Sequence, residues 1–121
     1  MCMVFEDLLR IAMPGTVIPK PKAEAKFLVK GVGMRRGEQA IVYAVPNHIH
    51  PLRPGEKGIN ISEFEAAYKQ LMDAGELTRE WFRENLPECD REGTCNFTTV
   101  GGLFVLLGKA KYDGPGRYAR V

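Results

Sequence analysis

The stretch Ser62–Pro87, SEFEAAYKQLMDAGELTREWFRENLP, decides the fold. Ser62-Glu63-Phe64-Glu65 has the S-x-x-E form of a capping box, in which the serine hydroxyl and the glutamate each satisfy a free backbone N–H. Phe64, Ala67, Tyr68, Leu71 and Met72 follow at the spacing of one helical face. Gly75 suits the left-handed residue after a helix. The spacing predicts a helix over 62–74. Thr78 then caps a second helix, with Glu80 near its positive end. Trp81, Phe82 and Leu86 face inward, and Pro87 ends it.

Downstream, Cys89–Asn96 reads as a polar loop. Thr98 or Thr99 caps a third helix, where Val100, Leu103, Phe104 and Leu107 repeat the helical spacing and Gly108 stops the run. Gly101 and Gly102 each cost this helix about 1 kcal/mol relative to Ala, which suggests close backbone approach. Lys109–Tyr112 and Arg117–Val121 read as short strands around the turn Asp113-Gly-Pro-Gly116.

Upstream, Phe5, Leu8, Leu9 and Ala12 predict an N-terminal helix stopped by Pro14-Gly15. Residues 26–45 read as a β-hairpin with Arg35 and Arg36 at its tip and Gly37 supplying the turn's positive φ. Residues 46–61, with three prolines and two glycines, read as a long loop. The expected fold is one α+β domain over 1–121. A helix and β-hairpin (1–45) and the loop (46–61) precede a three-helix half with a C-terminal β-ribbon (62–121). The expected core is Phe5, Leu8, Leu9, Phe27, Val29, Ile41, Tyr43, Phe64, Tyr68, Leu71, Trp81, Phe82, Leu86, Val100, Leu103, Phe104 and Leu107.

Composition fits that picture. The 121 residues are 45% hydrophobic and 26% charged, near the globular average and far from a disordered or collagen-like chain. The net charge is only +2 but is unevenly spread: residues 1–36 and 109–121 are basic, and 37–108 acidic. The three cysteines, an odd and low number, fit a reducing compartment. The first residues lack the cationic start of a signal peptide, and no apolar run approaches a membrane span. A cytoplasmic protein with no membrane contact is expected.

The residues Gly75-Glu-Leu-Thr78, the capped helix after them, Thr99-Val-Gly-Gly-Leu-Phe-Val-Leu-Leu-Gly108 and the ribbon Ala110–Val121 give an order of helix, short bridge, helix, loop, helix, ribbon. That order resembles the winged helix-turn-helix superfamily over about half the chain. The resemblance implies a winged-helix-like half whose third helix enters the major groove and whose wing touches the DNA backbone. It would present Thr98, Thr99, Gly102, Leu106 and Lys109 from the helix, and Lys111, Arg117 and Arg120 to phosphates. This helix departs from a base-reading one by offering threonine and glycine in place of Arg, Asn or Gln. Winged helices also serve as protein-interaction modules, and its apolar outer leucine suits that role.

A second route to nucleic acid is the basic hairpin. Lys20, Lys22, Lys26, Lys30, Arg35 and Arg36 are opposed only by Glu24. A charged ribbon can lie along a groove and contact phosphates, while lysines on an edge strand also guard against aggregation. The leading expectation is a small non-enzymatic nucleic-acid-binding protein using Lys30, Arg35, Arg36, Thr98, Thr99, Lys109, Lys111, Arg117 and Arg120. The alternative is a protein-interaction module or small regulatory subunit, homodimeric through an apolar helix or an unpaired strand.

Other chemistry is poorly signalled. His48, His50, Cys89 and Cys95 are zinc-type ligands at spacings unlike a zinc finger, so no metal or other cofactor is expected. Gly31-Val-Gly33 lacks the Lys-Ser/Thr pair of a phosphate loop. Glu24-Ala-Lys26 has a nuclease-like spacing without an acidic partner. No catalytic residue is assigned.

Overall fold

A computed structural model of the chain describes residues 4–22, 26–46 and 55–121. The described residues form a mixed α+β structure of five helices and two three-stranded antiparallel sheets. In chain order these are α1 (Val4–Ile11), β1 (Leu28–Arg35), β2 (Glu38–Val45), β3 (Gly55–Asn60), α2 (Ile61–Ala74), β4 (Glu76–Thr78), α3 (Arg79–Asn85), α4 (Pro87–Glu92), α5 (Asn96–Leu106), β5 (Ala110–Tyr112) and β6 (Arg117–Arg120).

The hairpin forms as its sequence dictates. Arg36 and Gly37 both take positive φ, 51° and 80°, as a two-residue turn matched to strand twist requires. The pairing runs from Arg35 opposite Glu38 back to Leu28 opposite Ala44, with one extra residue, Lys30, between Val29 and Gly31. The expectation of a loop over 46–61 is corrected in its second half. Gly55–Asn60 is a strand that pairs with β2 from Val45–Gly55 to Ala40–Asn60. Its glycines hid the strand, and Gly58 is needed there: a Cβ would lie 2.7 Å from Arg35 Cγ, whose side chain crosses the sheet above it.

The start of α2 is also corrected. Asn60, not Ser62, is the N-cap: its side chain accepts from Glu63 N at 3.0 Å, and Glu63 Oε1 accepts from Asn60 N at 2.9 Å. The capping box thus lies two residues earlier. The Ser62 hydroxyl instead donates to Glu38, across the hairpin. Gly75 ends the helix at φ 79°, and Thr78 caps α3, both as expected. Pro87 opens α4, where a missing N–H costs nothing, so the segment read as a polar loop is helical as far as Glu92. α5 starts at Asn96, two or three residues before the expected threonine caps.

β4 pairs with β6 and β6 with β5, so the C-terminal ribbon is stitched to the short bridge between α2 and α3. One buried cluster joins both halves: Phe5 and Leu8 of α1, Ile41 and Tyr43 of β2, Phe64 and Leu71 of α2, and Phe97, Leu103 and Phe104 of α5. Leu9, Phe27, Tyr68, Trp81, Leu86 and Leu107 pack against that cluster while keeping part of their surface. Val4, Ile18, Ile59, Leu77, Phe97 and Tyr118 join it without having been picked out by periodicity. No helix among the described residues is long and apolar enough to cross a membrane.

Candidate functional site

α5 is the helix that the winged-helix resemblance would send into a groove. Asn96, Phe97 and every residue from Thr99 to Phe104 are buried. Two glycines permit this. A Cβ on Gly101 would lie 2.1 Å from the Tyr118 ring, and one on Gly102 2.3 Å from the Pro19 carbonyl oxygen. The first contact seats the ribbon, and the second seats the arm that follows α1. Ile18 of that arm is buried too.

Lys20 closes the arm onto the first turn of α5. Its Nζ donates to Cys95 O at 2.9 Å, Thr98 Oγ1 at 2.8 Å and Thr99 Oγ1 at 2.7 Å. It also stands 4.3 Å from the Phe27 ring centre. Burial lowers its pKa to about 8, with Arg79 adding to the effect and Cys95 opposing it. Next to it, Tyr43 donates to Asn96 Oδ1 and lies 3.2 Å from Cys95 Sγ, while Asn96 Nδ2 donates to Cys89 O. Burial pushes the Tyr43 hydroxyl and the Cys89 thiol well above their ordinary ranges. The polar first turn of α5 is therefore consumed internally, by the arm on one side and by β2 on another.

The expected site residues separate into three groups. Thr98 and Thr99 hold Lys20, and Thr99 is fully buried. Both therefore act as acceptors within the fold, and Thr98 keeps part of its surface. Arg36 is likewise engaged within the fold. Its guanidinium donates to both carboxylate oxygens of Glu63 at 2.7 Å, to Glu92, and to Gly58 O at 2.8 Å. The hydrogen bond to Glu63, with the nearby charges of Glu63 and Glu92, raises its pKa further, and the knot ties the hairpin tip to α2 and α4. Lys57 donates to Glu92 O and Gly58 N to Glu92 Oε1 in the same knot.

Four more cations have local partners. Arg35 lies 3.6 Å from Glu92 and Lys30 3.5 Å from Glu56. Arg117 lies 3.0 Å from Asp113 and 3.8 Å from Glu76. Arg120 donates to Met72 O near the end of α2. Lys109 and Lys111 form the third group: both are exposed, and no carboxylate among the described residues reaches either. The cations of the hairpin and the ribbon thus do not form one uncompensated face.

His48 and His50, weighed as zinc-type ligands, and Glu24 lie outside the described residues. Cys89 and Cys95 are free thiols, and no group of three His, Cys, Asp or Glu among the described residues is placed to hold a metal.

A different surface stands out on β1. Val32 is 54% exposed and Met34 60% exposed, alternating with Gly31 and Gly33. β1 is an outer strand, and Val32 lies opposite the buried Ile41 of β2. The two side chains therefore form an apolar lip at the margin of the core face. Val29 of this strand was an expected core residue, whereas Val32 and Met34 were not singled out; the alternation Val32-Gly-Met34 was the available signal.

Comparison of the chain with protein-family models, with curated proteins and with solved structures finds no match.

Proposed function

We propose that the protein is a small non-enzymatic protein-interaction module, with a winged-helix-like second half whose third helix serves the core rather than a groove. The order α2, β4, α3, α5, β5, β6 supports the winged-helix-like reading; α4 is an added turn that the resemblance did not include. The observation that carries the interaction reading is the outer edge of β1 from Gly31 to Arg35, which bears Val32 and Met34 and which no strand among the described residues pairs. Exposed apolar side chains on an unpaired strand favour pairing with another polypeptide.

Nucleic-acid binding is the second reading, and one observation favours it. Lys109 and Lys111 stand exposed at the ribbon, where a wing would meet phosphates. Two cations give little affinity on their own, because each neutralised phosphate contributes a single step to the salt dependence.

Anisotropy titration of labelled duplex and single-stranded DNA, at about 50 mM and about 200 mM salt, separates the two readings. The interaction reading expects no saturable binding at micromolar protein. Micromolar binding that weakens steeply with salt, and falls further in Lys109→Ala/Lys111→Ala, overturns it in favour of the second.

A further inference from the structure

We propose that a second copy of this chain adds to the free edge of β1, antiparallel, about a two-fold axis through Gly33. The inference rests on the interaction reading and names its partner.

The edge has two ends. At the first, the chain's own arm already pairs with β1: Gly15 N donates to Val29 O, Val29 N donates to Thr16 O, and Val17 bridges Leu28. Lys30 is the bulged extra residue. At the other end the Arg36-Gly37 turn stops the strand. Gly31–Arg35 lies between, and among the described residues no strand pairs with it on that side.

Symmetry limits the registers. A two-fold axis that extends the sheet by an antiparallel strand stands perpendicular to it, so opposing residues share a face. The axis must then pass through a residue position, not between two. Centred on Val32, the pairing sets Lys30 against Met34 of the second copy and carries Arg35 back to Val29, which the arm already occupies. Centred on Gly33, it sets Val32 against Met34 of the second copy, and Met34 against its Val32. Gly33 then faces Gly33, and each Arg35 lies over a glycine instead of a like charge. This register uses the whole free edge, Gly31 to Arg35, with no residue left over.

Both exposed apolar side chains of β1 are covered in this arrangement, and the edge needs no partner of foreign sequence. Polyanions fit it less well, since the flanking Lys30 and Arg35 lie near Glu56 and Glu92. So short a pairing falls below the ~1,200 Å² of a standard interface. The dimer is accordingly weak and forms as concentration rises.

Sedimentation equilibrium of the full chain from about 20 μM to about 1 mM tests the inference, a range that brackets weak association. The weight-average mass is expected to climb from monomer toward dimer, and Val32→Lys to weaken association by about tenfold or more. Met34→Lys, at the more exposed position, repeats the test if Val32→Lys fails to fold. The register is read by mixing Val32→Cys and Met34→Cys chains, both on a Cys2→Ser background, under a mild thiol oxidant. Cross-linked heterodimer is expected in the mixture and not with either chain alone. A monomer at every concentration, or cross-linking of Val32→Cys with itself, overturns the proposal. A monomer that also ignores DNA overturns this inference alone, whereas salt-sensitive DNA binding overturns the reading beneath it.

Discussion

Lys20 makes the closure of α5 measurable through pH. Its pKa is about 8 in the folded protein, against an ordinary 10.5. Between those values the unfolded chain holds a proton that the folded chain has released, so stability contributed by this residue rises with pH. At ~1.4 kcal/mol per tenfold step in proton affinity, the full gap amounts to ~3 kcal/mol. Below pH 8 both states are protonated, and the contribution is flat. Other groups act in the opposite direction. Tyr43 and Cys89 keep their protons in the fold above the pH at which the unfolded chain loses them, so they lower stability in alkali. Comparison with Lys20→Met removes their shared contribution. Urea unfolding of both proteins at pH 7, 8, 9 and 10 should show the wild type gaining on the variant, beginning near pH 8 and reaching ~2–3 kcal/mol by pH 10. A difference that stays flat, or falls, refutes the buried placement of Lys20 against Thr98 and Thr99.

Further outcomes follow from single contacts. Arg36→Met leaves Glu63 and Glu92 without their guanidinium and should cost ~2–4 kcal/mol by urea unfolding, because one partner of a part-buried ion pair is stranded; a change within ~0.5 kcal/mol would show the knot to be idle. Gly101→Ala gains up to ~1 kcal/mol of helix propensity but drives a Cβ into the buried Tyr118 ring, for a net loss of ~1–3 kcal/mol in the same assay. Gly55→Ala, with open space around it, should be near neutral. Asn60→Ala should destabilise by ~1 kcal/mol and Ser62→Ala by less, the reverse of what a cap at Ser62 requires.

The helices were legible where one apolar face met clear punctuation. Phe64 to Met72 ended at Gly75, and Thr78 announced α3. The hairpin was legible from its Arg-Gly turn and β-branched second strand. β3 was not, because GEKGIN carries the composition of a loop and becomes a strand only by pairing with β2. The cap of α2 was misplaced because Asn60-Ile-Ser-Glu63 and Ser62-Glu-Phe-Glu65 satisfy the same pattern, and only tertiary contact with Glu38 takes Ser62 away.

The candidate site was the least legible part. Composition exposes cations but not their partners: Arg36 meets Glu63 27 positions away, and Lys20 meets Thr99 79 positions away. Gly101 and Gly102 did signal close approach. The sequence left open what approached, and it proved to be the protein's own ribbon and arm.

Amine acetylation read by mass spectrometry tests the central claim, that the chain's own arm closes the first turn of α5. At neutral pH, Lys109 and Lys111 should modify early and Lys20 last of the three, because its ammonium is buried and bonded to three oxygens. Modification of Lys20 at the rate of Lys109 in the folded protein would contradict the account and return that face of α5 to solvent.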